Sequence, residues 1–353
     1  MKNSMIQFGF IGAGEISHHS ANNVKSHPEA RLVAAQDLSK PRLAELCAKH
    51  QIAKSYDTAE ELFSNPEIDA VYIAVPNKFH VPLSIQAMKA GKHVILDKPF
   101  AMNLAEAEEA AKVSRETGKT LNLGMNQRFD IGSQTVKALI ERGDFGEIYH
   151  AKTCWLRRSG IPKLGTWFGN KALAGAGCLY DIGVHFLDLS LFLLGEFHPV
   201  SVTGATYTKF GNRGLGAGGW GKSDKQDIPF DVDDFATGFI RFSNGLTLAL
   251  DVSWACHAEE GNREEVQLYG TDAGALVRAR KRFHSNATTG EYMISQGLPS
   301  IPVKYPHCDR FHNFINHLLG KEELCVTLEQ AVAVQKILDA IALSASSGKE
   351  VRL

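Results

Sequence analysis

Short apolar runs rich in β-branched residues recur through the first third of the chain, and each is followed by a segment with apolar positions at helical spacing. Segments 6–11, 32–35, 70–75, 94–96 and 121–123 read as strands, and 15–25, 41–49 and 81–90 as helices. Thr58 with Glu61 gives a capping box ahead of a further short helix, and Asn103 with Glu106 opens another. Strands alternating with helices of this length predict βαβ units and a parallel sheet. Ligands of such sheets bind outside the carboxyl ends of the strands. Gly12, Gly14, Asp37, Asn77 and Asp97-Lys98-Pro99 each follow a strand end, so they point at one crevice.

Beyond about residue 125 the pattern changes. A helix at 131–142 leads to a strand around 148–155, and a long helix is expected at 182–194. Segments 236–242 and 246–254 form a hairpin, because the Asn244-Gly245 step suits a turn that needs positive φ. Leu246, Leu248, Leu250, Val252 and Trp254 share one face of the second strand, the period of a sheet covered on one side. Segments 266–269 and 275–277 continue the sheet, the glycine-rich stretch 211–221 reads as a mobile loop, and helices at 310–319 and 328–344 close the chain. The expected fold is α/β: a nucleotide-binding parallel sheet over 1–125, then an α+β domain over 126–353 with an open, mostly antiparallel sheet.

Composition narrows the function classes. A chain of 353 residues is long enough for two cores. Its 38 basic and 39 acidic residues leave a net charge of −1, which gives no footprint for nucleic acid or an anionic membrane. Apolar stretches such as 187–194 are short of a membrane span. Six cysteines are scattered with no C-x-x-C spacing, and the chain starts without an apolar signal region. A reduced, cytoplasmic protein is the expectation.

Gly12-Ala13-Gly14-Glu15-Ile16-Ser17 sits between a strand and a helix and follows G-x-G-x-x-G with serine last. The first glycine permits the turn and the second lets backbone approach a pyrophosphate at the helix N-terminus. Asp37 stands about 20 residues on, where a carboxylate bonds a ribose 2′-hydroxyl and repels a 2′-phosphate. That favours NAD; Lys40 and Arg42 keep NADP as the alternative, and Asp37 could instead cap the next helix.

Two constellations carry candidate chemistry. Lys98 ends a buried strand, and Pro99 holds it extended and admits a cis peptide; the plain alternative is a surface lysine in a turn. Asp181 and His185 lie four apart on one helix face, with Asp188 near it. A carboxylate there favours the imidazolium and orients the ring; the alternatives are a solvated ion pair or a metal site, the latter without dense ligand spacing.

Together these residues resemble the Gfo/Idh/MocA oxidoreductases, typified by glucose–fructose oxidoreductase and inositol dehydrogenase. The likeness rests on Gly12-Ala13-Gly14, Pro76-Asn77 with His80, Asp97-Lys98-Pro99, Arg128, and Asp181 with His185, and spans essentially the whole chain. Asp97 departs from the family's usual glutamate. The resemblance implies cofactor contacts from Gly12, Ala13, Gly14, Glu15, Ile16, Asp37, Pro76, Asn77, His80, Asp97, Lys98, Asn126 and Arg128; the ligand spacing gives no expectation of a metal. It implies catalysis by Lys98, Asp181 and His185 on a sugar or polyol secondary alcohol, and a homodimer or homotetramer through the second sheet. Lys98, Asp181 and His185 would also contact substrate, with Trp155, Arg157, Arg158 and Trp167 beside them. Aromatic faces stack on sugar C–H faces, and Arg forks bond vicinal hydroxyls or a carboxylate; the alternative is that these side chains fill the domain interface. The same fold also supports NAD-dependent glycosidases that oxidise C3 transiently. A non-catalytic NAD-binding regulator is a further rival, disfavoured by the intact Lys98, Asp181 and His185.

Overall fold

The computed structural model describes residues 5–219, 229–286 and 288–353. Its first sheet joins β1 (Ile6–Ile11), β2 (Ala30–Gln36), β3 (Lys54–Tyr56), β4 (Ala70–Ile73), β5 (His93–Leu96) and β6 (Leu121–Leu123). All are parallel, in the order β3-β2-β1-β4-β5-β6. The connections carry α1 (Glu15–Ser26), α2 (Lys40–His50), α3 (Ala59–Ser64), α4 (His80–Lys89) and α5 (Leu104–Thr117). Every residue of β4 is buried, as a strand covered on both faces requires. Both halves of the Thr58–Glu61 capping box form, and the Asn103 side chain accepts from the Glu106 amide. Strand order reverses between β1 and β4, so their carboxyl ends frame the crevice of a doubly wound sheet.

The rest of the chain supplies α6 (Ile131–Glu141), β7 (Ile148–Arg157), α7 (Lys171–Ala174), α8 (Val184–Leu194), β8 (Pro199–Tyr207), β9 (Phe235–Phe242) and β10 (Thr247–Ser253). After these come β11 (Asn262–Gly270), β12 (Ala273–Leu276), β13 (Lys281–Ser285), β14 (Tyr292–Gln296), α9 (Arg310–Leu318), α10 (Leu328–Ser347) and β15 (Val351–Arg352). The second sheet runs β14-β13-β12-β11-β7-β10-β9-β8-β15 among the described residues. It is antiparallel except where β7 and β10 lie parallel at its centre. The β9–β10 hairpin turns through Gly245 at φ 88°, and Leu248, Leu250, Val252 and Trp254 are fully buried.

Four features of the fold refine the sequence reading. The helix expected from residue 182 starts earlier, with a wide π-turn at Leu179–Gly183 that leads into α8 and carries Asp181. Such a turn offsets side chains that regular spacing would stack. The helical stretch Lys171–Leu194 is apolar enough to span a bilayer, yet 83% of its most apolar window is buried in the protein, so it is a core helix. Chain beyond the second sheet returns to the first: Phe311 and Phe314 of α9 pack on Phe8, Phe10 and Tyr72, with the Tyr72 and Phe311 rings 5.2 Å apart. Of the expected mobile loop at 211–221, Gly211–Arg213 forms a short 3-10 turn and Ala217 bridges to Ile161, while 220 and 221 lie outside the described residues.

Candidate active site

The turn after β1 is built for close approach. Gly12 adopts φ 99°, and a Cβ there would collide with the Ala74 carbonyl. A Cβ on Gly14 would meet nothing, so the α1 N-terminus opens onto free space. Ser17, standing for the third glycine, donates from Oγ to the Gly12 carbonyl at 2.7 Å and braces the turn. Asp37 braces the loop ahead of α2 without capping the helix, whose N-cap is Ser39. Asp37 Oδ1 accepts from the Ser39 amide and its Oδ2 from the Ala13 amide, each at 2.6 Å, while the residue lines the cavity. Each carboxylate oxygen keeps acceptor capacity for a ribose hydroxyl. These residues therefore fit a dinucleotide.

From that turn a cavity of about 1200 Å³ runs to the second sheet. Gly12, Gly14, Glu15, Ile16, Asp37, Pro76, Asn77, His80, Asp97, Lys98, Asn126, Trp155, Arg157, Trp167, Asp181 and His185 all line it. Asn77 also ties the two regions together, donating from Nδ2 to the Ala174 carbonyl at 2.8 Å.

Three expected contacts fall elsewhere. Ala13 is buried, and only its amide serves the site, through Asp37. Arg128 has no exposed surface. Its Nε and Nη2 donate to Asp188 at 2.8 and 2.5 Å, and its Nη1 donates to the Cys325 carbonyl and Gln330 Oε1. With no exposed surface and four of its five N–H groups bonded inside the protein, this guanidinium is closed to a cofactor, and Asp188 is thereby withdrawn from the Asp181–His185 neighbourhood. Arg158 is exposed and donates to the carbonyls of Ala258 and Glu259, away from the cavity.

The catalytic candidates meet, though in a different pairing. The Lys98–Pro99 peptide is cis, and Lys98 Nζ donates to Asp181 Oδ1 at 2.6 Å and to the Asp181 carbonyl at 2.9 Å. Trp254 Nε1 donates to Asp181 Oδ2 at 2.8 Å. Burial pushes the Asp181 pKa up, but Lys98 and then Trp254 outweigh it, so the carboxyl lies below its ordinary value. His185 makes no hydrogen bond among the described residues, and its Nδ1 is buried. Burial first and Lys98 second drive its pKa down to about 3, with Asp181 only partly opposing them. The expected imidazolium is thus a neutral imidazole, because desolvation exceeds the attraction of a carboxylate already neutralised by lysine.

Beneath the cavity lies a second cluster that local sequence patterns do not mark. Arg310, at the start of α9, donates from Nη1 to Asp97 Oδ1 and to the Gly124 carbonyl, both at 2.8 Å. Its Nη2 donates to Tyr72 Oη at 3.2 Å and Ser20 Oγ at 3.3 Å. Asp97, the shortened carboxylate, is held by this arginine. Burial raises its pKa, and Arg310 and Lys98 together bring it below the ordinary value.

The neutral state of His185 has a measurable consequence. A folded pKa far below the unfolded value of about 6.5 means that unfolding takes up a proton at acid pH, so stability falls as pH drops below that value. The His185 share should be about 2 kcal/mol between about pH 7.5 and pH 5. Urea unfolding should show the wild type losing that much relative to His185→Gln over this range; a constant difference would mean that His185 titrates in the folded protein as it does in the unfolded chain, and a gain would mean that it is charged there.

Residues 6–125 match the oxidoreductase family with the NAD-binding Rossmann fold, and residues 133–276 match the Gfo/Idh/MocA C-terminal domain. The chain belongs to the Gfo/Idh/MocA oxidoreductases. It is similar to the D-glucoside 3-dehydrogenase of Escherichia coli (strain K12), at 31% identity over 100% of this chain and 99% of the relative. It is also similar to the levoglucosan dehydrogenase of Pseudarthrobacter phenanthrenivorans, at 27% identity over 79% of this chain and 73% of that protein. A solved levoglucosan dehydrogenase in complex with NADH and levoglucosan shares the fold at TM-score 0.83 and 21% identity, covering 98% of this chain and 99% of its own.

Proposed function

We propose that this protein oxidises a secondary ring hydroxyl of a pyranose or glycoside, at C3, with NAD as acceptor. The observation that carries this reading is the Lys98–Asp181 ion pair, 2.6 Å long, in the same cavity as His185, Trp155 and the glycine turn. The relatives named for glucoside and levoglucosan dehydrogenation support the substrate class and, for the first, the carbon. NAD bound over Gly12 and Gly14 would supply the acceptor for the hydride leaving the ring carbon.

The protein's own groups do the rest. Lys98 Nζ, with a proton not used by Asp181, donates to the substrate oxygen and stabilises the negative charge that grows there. Asp181 keeps the ammonium charged and aimed, and Trp254 fixes Asp181 in turn. His185, as a neutral ring, has a lone pair to take the hydroxyl proton, and the nearby Asp181 carboxylate favours the imidazolium that forms. Trp155, whose ring centroid is 6.0 Å from that of His185, offers a flat face to sugar C–H groups.

The division into a nucleotide-binding part over 1–125 and a substrate-binding part over 126–353 belongs to this reading, with α9 reaching back to the first part. The free cysteines fit a reduced, cytoplasmic setting. Alternating half-buried positions on β10, with exposed Tyr149 on β7 and Tyr207 on β8 of the same sheet, fit self-association through the second sheet. The test is NADH formation, followed by absorbance, with NAD and a panel of glycosides, free hexoses, anhydrosugars and inositols. Pyranosides should reduce NAD fastest; binding of NAD with no reduction by any sugar of the panel would overturn the proposal.

A further inference from the structure

The two buried arginines described so far each meet a carboxylate: Arg128 reaches Asp188 at 2.5 Å and Arg310 reaches Asp97 at 2.8 Å. Arg157, the last residue of β7, is different. It lines the cavity, yet its guanidinium makes no hydrogen bond or ion pair among the described residues. It lies over the Trp155 ring, 4.5 Å from the centroid. That indole is itself fixed, donating from Nε1 to Asn262 Oδ1 at 3.2 Å and packing 5.1 Å from the Phe186 ring. Space for the arginine comes from Gly160, where a Cβ would collide with Arg157 Cδ.

Leaving a partly buried guanidinium without an anion is unfavourable unless something repays it. Burial pushes the Arg157 pKa down, and Asp181 and Glu264 only partly oppose this. Neither carboxylate is within ion-pair distance of it, and Asp181 is already held by Lys98 and Trp254. Charges in this half of the cavity do not cancel. Asp97 offsets Arg310, Asp181 offsets Lys98, His185 is neutral, and Arg157 remains as one positive charge. A planar fork on an aromatic face matches a carboxylate, which accepts two parallel hydrogen bonds.

We propose that Arg157 binds a carboxylate of the substrate, so that the sugar oxidised here is an acidic pyranoside. The inference rests on the dehydrogenase reading and specifies its substrate. A single excess charge suits one carboxylate rather than a phosphate dianion, and the carboxylate could sit on ring C6 or on the aglycone.

The test compares initial rates with NAD on methyl glucoside, methyl glucuronide, carboxymethyl glucoside and glucose 6-phosphate, for wild type, Arg157→Lys and Arg157→Gln. One of the two carboxylates should exceed methyl glucoside about 30-fold in kcat/KM, the value of a charge-assisted pair. Whichever it is identifies the carboxylate's position. Arg157→Gln should remove that preference through KM, and Arg157→Lys should keep part of it. A wild type that prefers methyl glucoside or the phosphate overturns the proposal, as does an Arg157→Gln that slows acidic and neutral glycosides by the same factor. If no sugar is oxidised, the dehydrogenase reading fails on its own. Calorimetric titration of the protein–NADH complex then decides the role of Arg157. Tighter binding of a carboxylate sugar, lost in Arg157→Gln, upholds it, and equal binding of acidic and neutral sugars overturns it.

Discussion

Lys98→Met should lower kcat about a thousandfold while NAD affinity changes little, because the lost group stabilises charge that exists only as the C–O–H bond is broken. The methionine keeps the length and apolar stem of lysine and removes the ammonium. Asp181 would keep Trp254 as a donor but lose the cation that offsets its burial, so some loss of stability should accompany the loss of rate. Steady-state kinetics with the best pyranoside, paired with NADH fluorescence titration, separates the two effects. A loss carried by KM for NAD, with kcat preserved, would make Lys98 a cofactor contact and not a catalytic group.

Arg128→Met should destabilise the protein by about 3–5 kcal/mol, the cost of leaving a buried carboxylate unpaired. Asp188, with no exposed surface, would be left without its bidentate partner, and the Cys325 carbonyl and Gln330 Oε1 would each lose a donor. Chemical denaturation measures the loss, and NADH titration below the transition should give wild-type affinity. A stable variant with weak NADH binding would return Arg128 to the cofactor site. The double variant Arg128→Met with Asp188→Leu should recover much of the stability, since an apolar pair of similar volume avoids the unpaired charge.

How far the sequence reveals this molecule follows from the range of each signal. The parallel sheet is legible because β4 is apolar at every position, and the nucleotide turn because Gly12, Gly14 and Ser17 act within one stretch of backbone. Lys98, Asp181 and His185 are legible as residue types at a strand end and on a helix, and all three do line one cavity. Their pairing was not. Spacing of four placed Asp181 against His185, but the π-turn and Lys98 direct the carboxylate elsewhere. Trp254 sits in a run of buried alternating residues and reads as core, although its indole N–H reaches Asp181 across 73 residues. Arg310 serves Asp97 from 213 residues away, and Arg128 finds Asp188 across 60. Contacts set by tertiary packing leave no periodicity behind them. The charge of His185 is likewise a property of burial, which the sequence shows only through its apolar neighbours.

The central claim is that a ring carbon gives up hydride to NAD in this cavity. The most direct measurement uses the best pyranoside of the screen carrying deuterium at C3, with the nicotinamide product analysed by mass spectrometry. Deuterium in the reduced cofactor, in step with formation of the 3-keto sugar, is the predicted result. Release of the aglycone with no net reduced cofactor would contradict it and identify a glycosidase that returns the hydride it takes.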